Sequence, residues 1–216
     1  AYHGFGAAPE QAILVSAALA CPLLHAVTAI ALGAGARRVW PDMPLAPYFA
    51  LLALLGNGVL NAYSVFGRAD HHTMIACFAA IGFAGAVKAA AEPWRGGAAF
   101  GAGLAFGAGI WVGPEVPLVA LPACAAFGLV WALAPDGRAF ARQGLRLALG
   151  MAAILAVATM LERPAAEWLA TEYDKASLHH VVLALIVAAV FAGTLPVSAP
   201  PRGWRLAAGA ILGGLG

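Results

Sequence analysis

Long runs of residues almost free of charge limit this chain more than any other feature. They lie at 11–34, 46–65, 72–91, 97–113, 116–134, 144–161 and 179–195, with a last one from 204 onward. A helix rises about 1.5 Å per residue, so roughly 20 such residues cross the roughly 30 Å hydrocarbon core of a bilayer. Hydrophobic residues make up 62% of the chain and charged residues only 10%, against about 25% charged in a soluble domain. A chain this apolar cannot cover itself with polar surface and needs lipid as solvent. In lipid every backbone N–H and C=O must be satisfied internally, which leaves helices or a closed barrel. The runs are long and rich in Ala, Leu and Gly, not short and alternating, so the expectation is all-α: one transmembrane domain, 1–216, of about seven to eight spans.

Breakers separate the runs: Trp40-Pro41-Asp42, Gly67-Arg68, Glu92-Pro93, Gly113-Pro114, Pro135-Asp136-Gly137, Arg163-Pro164 and Pro200-Pro201. Within the fourth run Gly97, Gly101, Gly103, Gly107, Gly109 and Gly113 stack small residues at helical spacing, as close helix packing in a bilayer requires. Cys21, Cys77 and Cys124 each sit inside an apolar run with no paired spacing, and they read as small packing residues. The chain has no initiator Met, and the run from 204 to 216 would rise only about 20 Å as a helix. It reads as a piece of a longer chain.

Charge sets the orientation. With the N-terminus outside and spans alternating, the inner loops hold Arg37, Arg38, Lys88, Arg95, Arg138, Arg142, Arg146, Arg202 and Arg205, and the outer segments only Arg68, Arg163 and Lys175. The scattered basic residues form no patch that would suit nucleic acid. Acidic residues lie mostly outside (Glu10, Asp70, Glu115, Glu162, Glu167, Glu172, Asp174), as do His3, His71, His72, His179 and His180. Acid and imidazole therefore collect on one membrane face, where chemistry is expected.

The sharpest outer segment is Phe66-Gly67-Arg68-Ala69-Asp70-His71-His72. Asp and His two apart in an extended segment point to the same side, and together they can ligate Mn²⁺ or Mg²⁺. Arg68 is placed to meet an anion there. Asp70 can equally cap the third helix, with the histidines at headgroup level. In Trp111-Val112-Gly113-Pro114-Glu115, Trp111 suits an interface anchor and Glu115 a helix start or a substrate contact. The last outer segment runs from Glu162 to His180. A short surface helix over 165–173 would explain Trp168 and Tyr173, and Glu162 offers a further carboxylate. His25, alone in the first span, reads as a hydrogen-bonded packing residue. No phosphate loop, dinucleotide fingerprint or metalloprotease helix is legible.

Gly67-Arg68-Ala69-Asp70-His71-His72 resembles the G-x-x-D-H-H stretch of GT-C polyprenyl-phosphate-dependent glycosyltransferases, above all the archaeal-type catalytic subunits of oligosaccharyltransferases and their bacterial relatives. The resemblance spans about 11–195, and the Trp111–Gly113 turn is similar to one downstream in those proteins. It implies that Asp70 and His72 are metal ligands, with a first Asp of the metal site upstream of this sequence. The roles of Glu162 as a catalytic or acceptor-site carboxylate, and of Arg68, His71, Trp111 and Glu115 as substrate-binding residues, are expectations of the same reading. It implies transfer of a sugar or oligosaccharide from a polyprenyl-phosphate-linked donor to an acceptor on the periplasmic face of a bacterial inner membrane. The family's soluble acceptor-recognition domain has no counterpart here. Two alternatives remain open: a non-catalytic membrane subunit or scaffold, and a small-solute or lipid transporter, for which Asn57, Asn61 and His25 are a thin basis for a polar path.

Overall fold

The computed structural model describes residues 9–66, 70–113, 116–172, 175–196 and 203–204, and the chain is all-α, with no strand among these residues. Eight α-helices follow in order: α1 Pro9–Val39, α2 Ala46–Leu55, α3 Gly58–Tyr63, α4 His71–Ala91, α5 Gly97–Val112, α6 Pro117–Leu133, α7 Gly137–Glu162 and α8 Leu178–Thr194. Three stretches, Ala18–Val39 in α1, His71–Ala91 and Gly137–Glu162, are long and apolar enough to cross a membrane. The helices α2, α5, α6 and α8 are apolar but shorter. Large hydrophobic side chains such as Ile30, Leu52, Leu118 and Leu161 point outward, as lipid-facing residues do.

The run at 46–65 does not form one helix. It breaks at Gly56-Asn57, because polar groups there serve the chain's own backbone. Gly56 N–H donates to Leu52 O, the Asn57 side chain accepts from Leu60 N at 3.0 Å, and the Asn61 amide donates to Leu55 O. Side chains that bond nearby backbone compete with helix continuation, so α2 closes and α3 restarts. Asn57 and Asn61 are thus helix-break residues. α7 begins at Gly137 rather than at 144, so its first two turns carry Arg138 and Arg142 beyond the apolar run. The expected surface helix over 165–173 is absent from the described residues: only a 3-10 turn, Ala165–Glu167, forms there.

Contacts give the helix directions. Cys21 of α1 meets Asp70 and Gly35 lies against Ala84, so α1 and α4 run the same way and α2–α3 carry the chain back between them. Gly82 faces Phe106 and Gly85 faces Ala102, so α4 and α5 are antiparallel. Gln143 reaches Pro93 and Arg95 at one end while Trp111 reaches Glu162 at the other, so α5 and α7 run in the same direction, with α6 returning the chain between them. Gly144 lies under the Phe191 ring, making α8 antiparallel to α7.

The tightest crossing is α5 on α7. A Cβ at Gly103 would collide with the carbonyl of Leu147, one at Gly107 with Ile154 and Met151, and one at Gly150 with the carbonyl of Phe100. Between helices in lipid, apolar burial gains little by transfer, so close van der Waals contact carries association. Glycine permits it by letting the backbones touch. Gly97 and Gly101 meet nothing within 4 Å and take no part. Phe106, Leu147 and Leu155 are fully buried around this crossing. Cys21, Cys77 and Cys124 are free and buried, as packing residues would be.

Candidate functional site

The alternating directions bring Asp70, Trp111, Glu162, His179 and His180 to one end of the bundle and Arg37, Arg38, Lys88, Arg95 and the α7 arginines to the other. At the first of these ends the connection into α4 is built around Asp70. Its backbone is extended, and its carboxylate oxygen Oδ1 accepts from the His72 N–H at 2.9 Å, which caps α4. The same Oδ1 lies 2.7 Å from His72 Nδ1 and 3.9 Å from His71 Nδ1. A carboxylate only accepts, so His72 Nδ1 carries the hydrogen of that contact and Nε2 of the neutral ring keeps its lone pair. One ligand atom from each of Asp70, His71 and His72 lies within 4.8 Å of the others.

The structure supplies supports that the sequence did not announce. Cys21 of α1 accepts from the Asp70 N–H through its Sγ at 3.3 Å. Tyr63 stacks on His72 with ring centroids 4.7 Å apart and planes 15° apart, and His71 tilts against the other ring at 4.1 Å. Thr73 is fully buried and donates to Tyr63 O at 2.9 Å, tying the end of α3 to α4. One helix turn below, His25 Nδ1 lies 2.9 Å from Ser64 Oγ. Ser64 sends its own hydrogen to Leu60 O, so His25 is the donor, a packing residue as expected. Apart from the neighbouring His71, these partners are nine to forty-nine positions from each other in sequence, and no local pattern marks them.

Trp111 and Glu162, read separately from the sequence, meet in space: the indole N–H donates to Glu162 Oε1 at 2.7 Å. That contact closes α5 onto α7. Glu162 is not in the group that gathers around Asp70 among the described residues. The loop beyond it is clasped. Arg163, 6% exposed, forms a two-pronged ion pair with Glu172 at 3.1 Å on each arm. Its Nε donates to Ala176 O, and Trp168 donates to Arg163 O. Ser177, fully buried, bonds both backbone groups of Glu172 and lies 2.8 Å from His179 Nδ1. The clasp is the physical reason that no surface helix forms: it draws Glu172 back onto Arg163 within a span a straight helix would not close.

No protein-family model, no curated protein and no solved structure matches this chain. Arg68 and Glu115, both expected to contact substrate, lie outside the described residues, as do Tyr173 and Asp174. Of the expected residues, then, Asp70, His71 and His72 converge, Trp111 and Glu162 pair with each other, and the two groups share one end of the bundle.

Chemically, the Asp70–His72 pair fits a divalent cation. An oxygen and a nitrogen 2.7 Å apart are close to the separation of neighbouring ligands on an ion whose bonds are about 2.0–2.2 Å. As it stands that contact is a hydrogen bond, so a cation would have to displace its hydrogen or be met by Nε2 of His72. Mixed carboxylate and imidazole donors suit Mn²⁺, and Mg²⁺ where water or phosphate completes the shell. Asp70 is 14% exposed while His72 is 45% exposed, so the carboxylate is held and the imidazole faces out.

Proposed function

We propose that this chain belongs to a metal-dependent membrane glycosyltransferase of the GT-C type, taking a sugar or oligosaccharide from a polyprenyl-phosphate-linked donor. The supporting observation is the convergence of Asp70 Oδ1 and His72 Nδ1 at the start of α4, the two positions that the G-x-x-D-H-H resemblance marks as ligands. In this reading α1, the broken pair α2–α3, and α4 to α8 make seven crossings. The 16 or 17 residues of α5, α6 and α8 would each rise about 24–26 Å, and a modest local thinning of the bilayer accommodates them. The excess of arginine and lysine at the far end supports an outer, periplasmic position for Asp70 in a bacterial inner membrane.

Asp70 and His72 hold the cation, which when bound neutralises charge on the leaving phosphate. Asp70 keeps its carboxylate aimed by capping α4, and Tyr63 keeps the His72 ring in plane. His71 flanks the pair and contributes a donor to the donor phosphate, a role the sequence reading also gives to Arg68. Glu162 and Trp111 border the side where an acceptor enters.

Asp70→Asn tests this directly, because Asn is as good a helix cap as Asp but a poor ligand for a hard cation. The expected result is an unchanged thermal midpoint, loss of Mn²⁺ binding by the purified protein, and loss of metal-dependent consumption of a labelled polyprenyl-phosphate sugar. Wild-type Mn²⁺ affinity in Asp70→Asn would sink the metal assignment, and with it the transferase.

One observation favours a second reading, a non-catalytic membrane subunit. Asp70 already has a structural task as the cap of α4, and Cys21 braces its backbone. In that case Asp70→Asn matches wild type in every assay, and Mn²⁺ does not bind specifically to either.

A further inference from the structure

At the end of the bundle opposite Asp70, the last turn of α1 and the start of α2 form an open groove of about 400 Å³ lined by Gly33, Ala34, Arg37, Arg38 and Pro47. We infer that it is a binding site for the phosphate headgroup of an anionic glycerophospholipid. Its volume falls in the range of small-molecule sites, about 300–1,000 Å³. Two guanidiniums line it and no carboxylate does. Arg38 donates to Ala34 O at 3.3 Å, within its own helix. Arg37 has no hydrogen bond or ion pair with another described residue. The opposite wall is the start of α2, which carries no acidic residue in its first turn and no side-chain cap. The two guanidiniums therefore meet no counter-charge within the lining.

A lipid source is favoured over a free anion by what surrounds the groove. Trp40, Tyr48 and Phe49 are exposed beside it, as aromatic residues are at headgroup level. Ile30, Val39, Leu45 and Leu52 continue the same surface along α1 and α2, all exposed, so acyl chains have an apolar track leading away from the arginines. Basic pockets between membrane helices recognise anionic headgroups in this way. A zwitterionic headgroup would bring its ammonium against the same guanidiniums. The site is separate from the Asp70 group and stands whether or not the chain is a transferase.

The test is thermal stability of the full-length protein in neutral detergent during titration with phosphatidylglycerol, with phosphatidylcholine and inorganic phosphate as separate arms. Phosphatidylglycerol is expected to raise the midpoint saturably, and the other two to leave it unchanged at the same concentration. Arg37→Gln, which breaks no bond within the protein, is expected to weaken the apparent affinity about fivefold, and Arg37→Lys to retain most of it. Arg142→Gln, an equal loss of charge on an exposed turn of α7, should leave the affinity unchanged. Equal weakening by Arg142→Gln would reduce the effect to diffuse attraction and overturn the site. So would stabilisation by phosphatidylcholine, or by inorganic phosphate alone.

Discussion

The α5–α7 crossing and the α1–α4 seam hold helices together by different means. In the first, Gly103, Gly107 and Gly150 let two backbones touch, and an added Cβ at any of them would run into the facing helix. In the second, Gly35 stands off Ala84 at ordinary van der Waals distance, with 3.6 Å from its ideal Cβ to the Ala84 Cα. One polar link, Asp70 N–H to Cys21, joins α1 directly to the start of α4, and His25–Ser64 and Thr73–Tyr63 tie the end of α3 to both helices. The candidate metal ligands sit on the second seam. The lesson is a division of labour. A close-packed crossing resists movement and excludes ligands, whereas a seam joined by a few directed bonds can present polar side chains at its mouth while keeping them oriented.

Substitutions can break or sharpen that contrast. The largest effect is expected at the crossing itself. Gly103→Leu forces α5 off α7, because even a Cβ there collides with the Leu147 carbonyl, and it should cost about 3 kcal/mol or more, read as a collapse of the folded fraction in detergent. A near-wild-type midpoint would show that the crossing is looser than its geometry. Arg163→Gln removes the clasp on the loop beyond α7. Glu172 is 41% exposed and can rehydrate, so the loss should be about 1–2 kcal/mol, with faster proteolysis between 163 and 177 as the second readout. Protection equal to wild type would mean the loop is held elsewhere. Smallest of all is Gly101→Ala, on the same helix as Gly103 but facing open space. Helix propensity alone acts there, so stability should rise by up to about 1 kcal/mol. A large loss would mean that a partner helix covers that face in the membrane.

How much of the site could be read in the sequence differs residue by residue. Asp70 and His72 do meet, within 2.7 Å, but not as alternate positions of an extended segment: only Asp70 is extended, His71 and His72 already belong to α4, and the N-cap geometry brings them together. Both readings of Asp70, cap and ligand, describe the same geometry, since one Oδ1 serves His72 N–H and faces His72 Nδ1. Trp111 and Glu162 were each visible as interface residues, but their pairing needs α5 and α7 to run in the same direction, a fact no local window holds. The clasp of Arg163 on Glu172 replaced an expected surface helix for the same reason: an ion pair nine positions apart outweighed an amphipathic pattern.

Composition and the length of the apolar runs pointed to lipid as solvent and to an all-α class, because a backbone in lipid has so few ways to satisfy its hydrogen bonds. The same runs, with the breakers between them, located most of the helices. Tertiary structure alone decided which glycines touch and that Cys21 and Tyr63 brace the Asp70–His72 pair. Those outcomes depend on which faces of distant helices meet. In lipid that choice follows the fit of surfaces against one another, which hydrophobicity along the chain does not encode.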